Sequence, residues 1–500
     1  MKLGGMALAV LALATALPAM AHDDAKADKA KDVPIPAPLV SVTRHSGSFG
    51  GQTIRYVATT GETYLKDAAG EPTAAIFSTS YVKEGPRDPN RPITFLFNGG
   101  PGSGSVWLHM GAFGPKRVVV PSDARDDGTP PFPIVDNVHS LLDVTDLVFI
   151  DPVGTGFSKA LGKTEAKSFW GVTADAKSVA QFIRSWLREN GRWNAPKFIG
   201  GESYGTTRSA AVVNELESTF NDVSLNGVLL ISTILDFGAQ AEVPGNEMAY
   251  VVNMPSMAAA AWYHDALAEK PAALEPFLAE ARAFAIGDYA SALLKGSQLP
   301  AAERAAVRAR LSRFTGLSEA YLDRADLRVV PGRFYKELLR DRGLTIGRLD
   351  TRYTGRDYDS AGEEPDNDPS FYGIDGAYTA AINAHVRDTL GLKIEREYVT
   401  IGGVGPWDWD IGRGDLTYYR NVAPYLGKAL RENSGMRIFV GQGYYDMATP
   451  FFGAEYSLSR TGIPTDRITY AYYDAGHMMY VRDADLAKLS RDIRAFIRAR

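Results

Sequence analysis

Residues 199–207 read IGGESYGTT, Ile199 to Thr207, with the strand-like stretch KFIGG (197–201) leading in and YGTTRSAAVVNEL (204–216) leading out. Gly201-x-Ser203-x-Gly205 is the pattern of a nucleophile elbow, a sharp strand-to-helix turn that presents a serine hydroxyl at the end of a buried strand. Glycines stand where side chains would clash. The pattern alone is weakly specific, so its surroundings decide. Here a strand, the elbow and a helix follow in the required order.

Working outward, PITFLFNGG (92–100) and DLVFIDPV (146–153) are short apolar runs ending in glycine or proline, and NGVLLIST (226–233) adds another strand. Strands buried on both faces look like this. Between the second run and the elbow, Val179, Phe182, Ile183, Trp186 and Leu187 recur with helical period. That predicts a strand-helix-strand unit. Ahead of it, QTIRYVATT (52–60) and TAAIFSTSYV (73–82) alternate with turn residues and predict antiparallel hairpins. After residue 236 the alternation stops. Ala-rich helical stretches such as MAAAAWYHDALA (257–268) and an acidic loop, SAGEEPDNDPSFYG (360–373), occupy the interval. Strand signals resume at MRIFVGQ (436–442) and RITYAYY (467–473), before a last helix bearing Leu486, Leu489, Ile493, Phe496 and Ile497 on one face. The expectation is an α/β core over 41–236 and 405–500 with a mostly parallel sheet, interrupted by a mainly helical cap over 237–404. The carboxylates Glu363, Glu364, Asp366 and Asp368 lack calcium-loop spacing and read as a solvated loop.

A serine hydroxyl needs a base, and the base needs a partner that fixes its tautomer. In folds with this elbow the acid and then the histidine follow the serine along the chain. Past Ser203 the histidines are His264, His385 and His477, and only His477 follows the last strand signal. Asp446 is the carboxylate in the stretch after the preceding strand, with Asp474 as the less favoured choice. FLFNGGPGSGS (95–105) offers a glycine-rich loop, Gly99, Gly100 and Gly102, for an oxyanion N–H. It has neither the register nor the Gly-Lys-Ser/Thr ending of a phosphate loop.

Composition agrees with a globular enzyme: 500 residues, 45% hydrophobic, 23% charged, and a net charge of -5 that gives no case for a nucleic-acid partner. Lys2, the apolar run Leu3–Leu17 and Ala19-Met20-Ala21 read as an export signal cleaved after Ala21, with an uncleaved anchor as the alternative. The run is too short for a comfortable span, so no stable membrane insertion is expected after cleavage. Residues 22–40 read as a disordered lead-in. There is no cysteine, which removes thiol nucleophiles, thiolate metal sites and disulfides. The chemistry sketched so far calls for no metal and no cofactor.

NGGPG (Asn98–Gly102), DPVGTGFS (Asp151–Ser158), GESYG (Gly201–Gly205), the aspartate of YYDMATPF and GHM (Gly476–Met478) together resemble the serine carboxypeptidase family, peptidase family S10, on the α/β-hydrolase fold. The likeness is to an exported, bacterial-type member. It implies Ser203 as nucleophile, His477 as base and Asp446 as its orienting acid, with the backbone N–H groups of Gly100 and Tyr204 as oxyanion hole. It also implies that Asn98 and Glu202 hold the free C-terminal carboxylate of a peptide substrate. A protonated Glu202 can donate a hydrogen bond to that carboxylate, which gives the acid beside the serine a purpose and ties activity to acidic pH.

The chain departs from the family in three places. GGPGSGS stands where many relatives read GGPGCSS, so something other than a disulfide must steady the loop. Leu96 replaces a tryptophan two residues before the asparagine, and DPVGTGFS is one residue shorter than the usual aspartate-x-proline form. An esterase, lipase or acyltransferase on the same fold is the alternative activity, since the triad does not dictate the bond attacked. A silent binding protein is the other. Trp262 and Tyr263 could line a side-chain pocket in the cap, although aromatics at helical spacing are more often core.

Overall fold

Runs that are apolar at every position become the middle of one sheet, because only a strand covered on both faces hides all its side chains. The structure is a computed structural model that describes residues 35–217, 222–411 and 420–499. The leader expected over 1–21 and residues 22–34 of the lead-in lie outside the described residues, and Pro36–Arg500 form one compact unit. Its strands are β1 (Val40–Phe49), β2 (Gln52–Lys66), β3 (Pro72–Lys83), β4 (Ile93–Phe97), β5 (Asp146–Asp151), β6 (Lys197–Ser203), β7 (Gly227–Thr233), β8 (Arg437–Gly443) and β9 (Ile468–Tyr473). They lie in the order β1-β2-β3-β5-β4-β6-β7-β8-β9, with a two-residue strand, Lys159–Ala160, added beside β3. From β5 to β9 every pairing is parallel; β1, β2 and β3 pair antiparallel and join β5 antiparallel. The predicted hairpin starts earlier than its sequence signal, and the lead-in ends earlier. Tyr64 donates to the Pro36 carbonyl at 2.8 Å and Leu39 N–H to Glu62 at 3.1 Å, so this stretch is tied to β2.

Helices α1 (Val172–Glu189) and α2 (Tyr204–Leu216) follow β5 and β6. The apolar stripe of α1 packs with α2 on one sheet face, and the C-terminal helix covers the other. Between β7 and β8 the insertion holds α3 (Met248–Tyr263), α4 (Leu274–Phe284), α5 (Ala301–Thr315) and α6 (Asp375–Ala384), before the crossover helix α7 (Ala423–Glu432). It divides in two. Helices α3, α4 and α5 share an apolar cluster with Tyr444, Tyr445 and Phe451 after β8, whereas α6 joins the main core through Ala377, Tyr378 and Ile382. Among the described residues no helix is long and apolar enough to cross a membrane. The C-terminal helix is α8 (Asp483–Arg498), with the predicted Leu486, Leu489, Ile493, Phe496 and Ile497 all buried.

A buried polar chain ties α6's extension to the core. The Tyr81 hydroxyl lies 2.6 Å from His109 Nε2 and 2.8 Å from His385 Nε2. With one hydroxyl hydrogen between them, one imidazole accepts and the other donates. Burial pushes both imidazoles down, His109 well below its usual value and His385 to about 3, helped there by His45 and Lys116. A histidine held neutral in the fold but free to charge when unfolded stabilises only above the unfolded value. Its contribution is lost as pH falls below about 6.5, at about 1.4 kcal/mol per pH unit for each ring. Melting temperature is therefore expected to drop from pH 7 to 5, and His385→Phe to flatten that slope in calorimetry; an unchanged slope would remove His385 as its source.

Candidate active site

The elbow forms because the backbone must reverse between β6 and α2 without room for side chains. Ser203 sits at φ +61° and ψ -131°, a conformation that non-glycine residues adopt only under strain. A Cβ on Gly201 would run into the Gly205 carbonyl, and one on Gly205 would come within 2.9 Å of the Phe97 carbonyl. Gly99 lies as close: its Cβ would be 2.5 Å from Tyr204 N. The loop after β4 and the first turn of α2 thus touch through backbone, with Gly100 at φ +101°.

Loops after β8 and β9 bring in Asp446 and His477. His477 Nδ1 is 2.8 Å from Asp446 Oδ2, and both side chains are buried. Asp446 is held by three further donors: Ala448 N at 2.8 Å and Thr449 N at 2.9 Å on Oδ1, and Thr449 Oγ1 at 2.6 Å on Oδ2. Burial works to lower the His477 pKa, but the charges of Asp446 and Glu202 and the Asp446 hydrogen bond outweigh it, and the net shift is upward. Asp474, the alternative acid, lies on the surface 3.7 Å from Arg482. Of the other histidines, His264 contacts the Thr351 carbonyl and His385 belongs to the Tyr81 chain. Ser203 and His477 line one cavity of about 260 Å³, with no hydrogen bond between their side chains.

Asn98 and Glu202 share that cavity. Asn98 Nδ2 donates to Glu202 Oε1 at 3.1 Å, while its Oδ1 accepts Leu108 N–H at 3.0 Å. Tyr480, which sequence reasoning missed, donates to Glu202 Oε2 at 2.6 Å. Burial pushes the Glu202 carboxyl up to about 7, against the pull of His477, Tyr480 and Asn98. Its neutral, protonated form is thereby favoured to a higher pH than for an exposed glutamate.

The glycine-rich loop after β4 is steadied without a disulfide. Gly104 N donates to Thr400 O at 3.0 Å, Gly402 N to Gly102 O at 3.1 Å and Ser105 N to Asp151 Oδ1 at 2.7 Å. Residues 400–402 of the insertion thus brace it, together with the aspartate that opens DPVGTGFS. Leu96, in the position of the missing tryptophan, is buried in β4 and does not line the cavity. Nor do Trp262 and Tyr263: Trp262 donates to the Pro271 carbonyl, and Tyr263 packs beside Tyr445. The insertion instead contributes Phe237, Arg348, Leu349, Phe371 and Ile401. Asp368 of the acidic loop is structural rather than merely solvated, since it caps the turn at Ser370 and accepts Arg348 N–H at 3.0 Å.

Residues 68–273 match the family model for serine carboxypeptidase. Over that stretch the chain is similar to the serine carboxypeptidase family. The matched stretch includes Asn98, Glu202 and Ser203 and ends before Asp446 and His477. Among solved structures, the prohormone-processing carboxypeptidase from Saccharomyces cerevisiae shares 17% identity at a TM-score of 0.52, covering 89% of this chain and 91% of that one. It shows the α/β-hydrolase fold of the family. A proline iminopeptidase from Mycobacterium smegmatis (12%, TM-score 0.34, 91% and 97% covered) and a soluble variant of monoglyceride lipase from Saccharomyces cerevisiae (11%, 0.36, 87% and 94%) also match. No curated protein sequence matches significantly.

Proposed function

We propose that the protein is an exported serine carboxypeptidase that removes C-terminal residues from peptides through an acyl-enzyme, using Ser203, His477 and Asp446. The observation that carries the reading is the 2.8 Å His477–Asp446 contact in one cavity with the strained Ser203 and the Asn98–Glu202 pair. Ser203 Oγ attacks the last peptide carbonyl while His477 Nε2 takes its proton, and that proton passes to the departing amine. Negative charge developing on the carbonyl oxygen meets the N–H groups of Gly100 and Tyr204. Water then repeats the sequence on the acyl-enzyme and frees Ser203. Catalytic contacts tighten when substrate binds, so an open Ser203–His477 distance before binding is compatible with this route.

Incubating the mature protein with a peptide mixture and reading products by mass is expected to give single-residue steps from the C-terminus. Blocked dipeptides and their C-terminal amides separate this activity from an esterase or acyltransferase: equal turnover of acids and amides overturns the carboxypeptidase reading. N-terminal sequencing of exported protein is expected to begin at His22.

Glu202 sets the pH dependence. As a neutral acid it donates to the substrate carboxylate, and losing its charge also weakens the pull that raises His477, which keeps the imidazole available as base at lower pH. For peptides, kcat/KM is expected to fall as pH rises through about 7, where Glu202 ionises. Glu202→Gln should lose that fall and move the acid limb of kcat downward. An unchanged profile with unchanged KM removes Glu202 from this role.

A further inference from the structure

Arg348 lines the catalytic cavity, and among the described residues its guanidinium forms no ion pair or hydrogen bond. We propose that Arg348 selects peptides with a second carboxylate, an aspartate or glutamate side chain at one of the two residues flanking the scissile bond. The proposal rests on the carboxypeptidase reading and names its substrate class.

The placement of Arg348 is fixed by the same loops that carry the triad. Met447 N donates to the Arg348 carbonyl at 3.2 Å, His477 N to the Leu349 carbonyl at 2.7 Å and Thr351 N to the Tyr445 carbonyl at 2.9 Å. Gly476 N donates to Asp350 Oδ2 at 3.0 Å. On its other side the strap is held by Asp368, which accepts Arg348 N–H at 3.0 Å and Leu349 N–H at 3.3 Å. The backbone at 348 therefore cannot drift from His477 without breaking these bonds, and the side chain reaches into the cavity from a set point.

Charge then decides what the site accepts. Besides Glu202 and His477, which serve the chemistry, Arg348 is the charged side chain in the cavity wall; Trp107, Phe237, Leu349, Phe371 and Ile401 supply apolar surface. Arg348 is exposed beside these apolar walls, and its planar fork matches a carboxylate in two parallel hydrogen bonds. A lysine or arginine side chain in the same place would be repelled. Beyond Arg348 lies a second cavity of about 450 Å³, which it shares with Glu242, Glu364, Asp366 and Asp368. Those carboxylates repel a substrate anion, so an acidic side chain is stopped at Arg348 instead of passing further in.

The test compares kcat/KM at pH 6 for N-blocked dipeptides that differ only as Glu against Gln, placed first at the penultimate and then at the terminal residue. Wild type is expected to favour Glu about tenfold at one of the two places, and the place identifies the subsite. Arg348→Ala should bring the ratio to about one, Arg348→Lys should keep part of it, and Arg348→Glu should favour Lys over Glu. The wild-type ratio should also shrink with added salt, a reading that needs no variant to fold. A wild-type ratio near one at both places overturns the proposal. So does an Arg348→Ala protein that loses Glu and Gln peptides in equal proportion, which assigns Arg348 to the terminal carboxylate they share. If wild type releases no C-terminal residue from any peptide, the carboxypeptidase reading itself falls, and the proposal with it.

Discussion

Ser203→Ala is expected to lower kcat for release of a C-terminal residue by about 10⁴ to 10⁶-fold while KM stays within a few-fold, because the hydroxyl makes its decisive bond only in the transition state. His477→Ala should cost as much, and the double variant no more than either alone, since the two act as one unit. Asp446→Asn is the more informative change. Two backbone N–H groups, Ala448 and Thr449, point at Oδ1 and demand an oxygen there. The amide NH₂ is thereby forced to the Oδ2 side, facing His477 Nδ1. A donor there selects the imidazole tautomer with its hydrogen on Nε2, which can no longer take the Ser203 proton. A loss of about 10⁴-fold follows with the fold intact. Single-turnover kinetics and labelling by a fluorophosphonate check both changes. A Ser203→Ala protein that still labels, or keeps activity within tenfold, excludes the serine as nucleophile.

The strands and the elbow were legible because their rules are local. Buried parallel strands write themselves as unbroken apolar runs, and the backbone crowding at Gly201 and Gly205 leaves glycine as the residue that fits. Chain order then pointed to Asp446 and His477, whose contact the structure places at 2.8 Å. What stayed hidden depends on tertiary approach. Tyr480 reaches Glu202 across 278 positions of chain, and nothing in GHMMYV marks its hydroxyl as a partner. Arg348 sits in an insertion with no periodic signal around it. For Trp262 the core reading was the favoured one, since aromatics at helical spacing suit a core more often than a cleft, and α3 turns it toward the Pro271 loop. The early start of β1 was masked by exposure: its side chains alternate between half-buried and open, so Val40 and Val42 sit among polar neighbours in a strand paired on one edge.

Asp175→Asn is expected to destabilise the protein by about 3–5 kcal/mol, more than Arg208→Met, although the two residues form one ion pair. Arg208 is buried beneath the elbow with Nε 2.6 Å from Asp175 Oδ2. Its Nη1 donates to the Asn98 carbonyl, and its guanidinium lies over the Tyr204 ring at 5.2 Å. Without the carboxylate the guanidinium stays charged, because it cannot shed its proton inside a protein. Without the guanidinium, Asp175 can pick up a proton, and burial already pushes its pKa up even against Arg208. The asymmetry carries a pH signature. In Arg208→Met the folded protein binds a proton on Asp175 more tightly than the unfolded chain does. Stability then falls as pH rises above about 4, at up to about 1.4 kcal/mol per unit, and levels off once the folded pKa is passed. Replacing both residues by apolar ones, Asp175→Leu with Arg208→Met, should recover most of the stability, since desolvating the pair costs about as much as the pair returns. Activity should not recover with it. The Asn98 carbonyl would still lack its donor, and the turn that carries the Gly100 N–H would be free to shift. Urea denaturation at several pH values, read beside kcat, separates these outcomes: a double variant as active as wild type would make the pair a matter of folding alone.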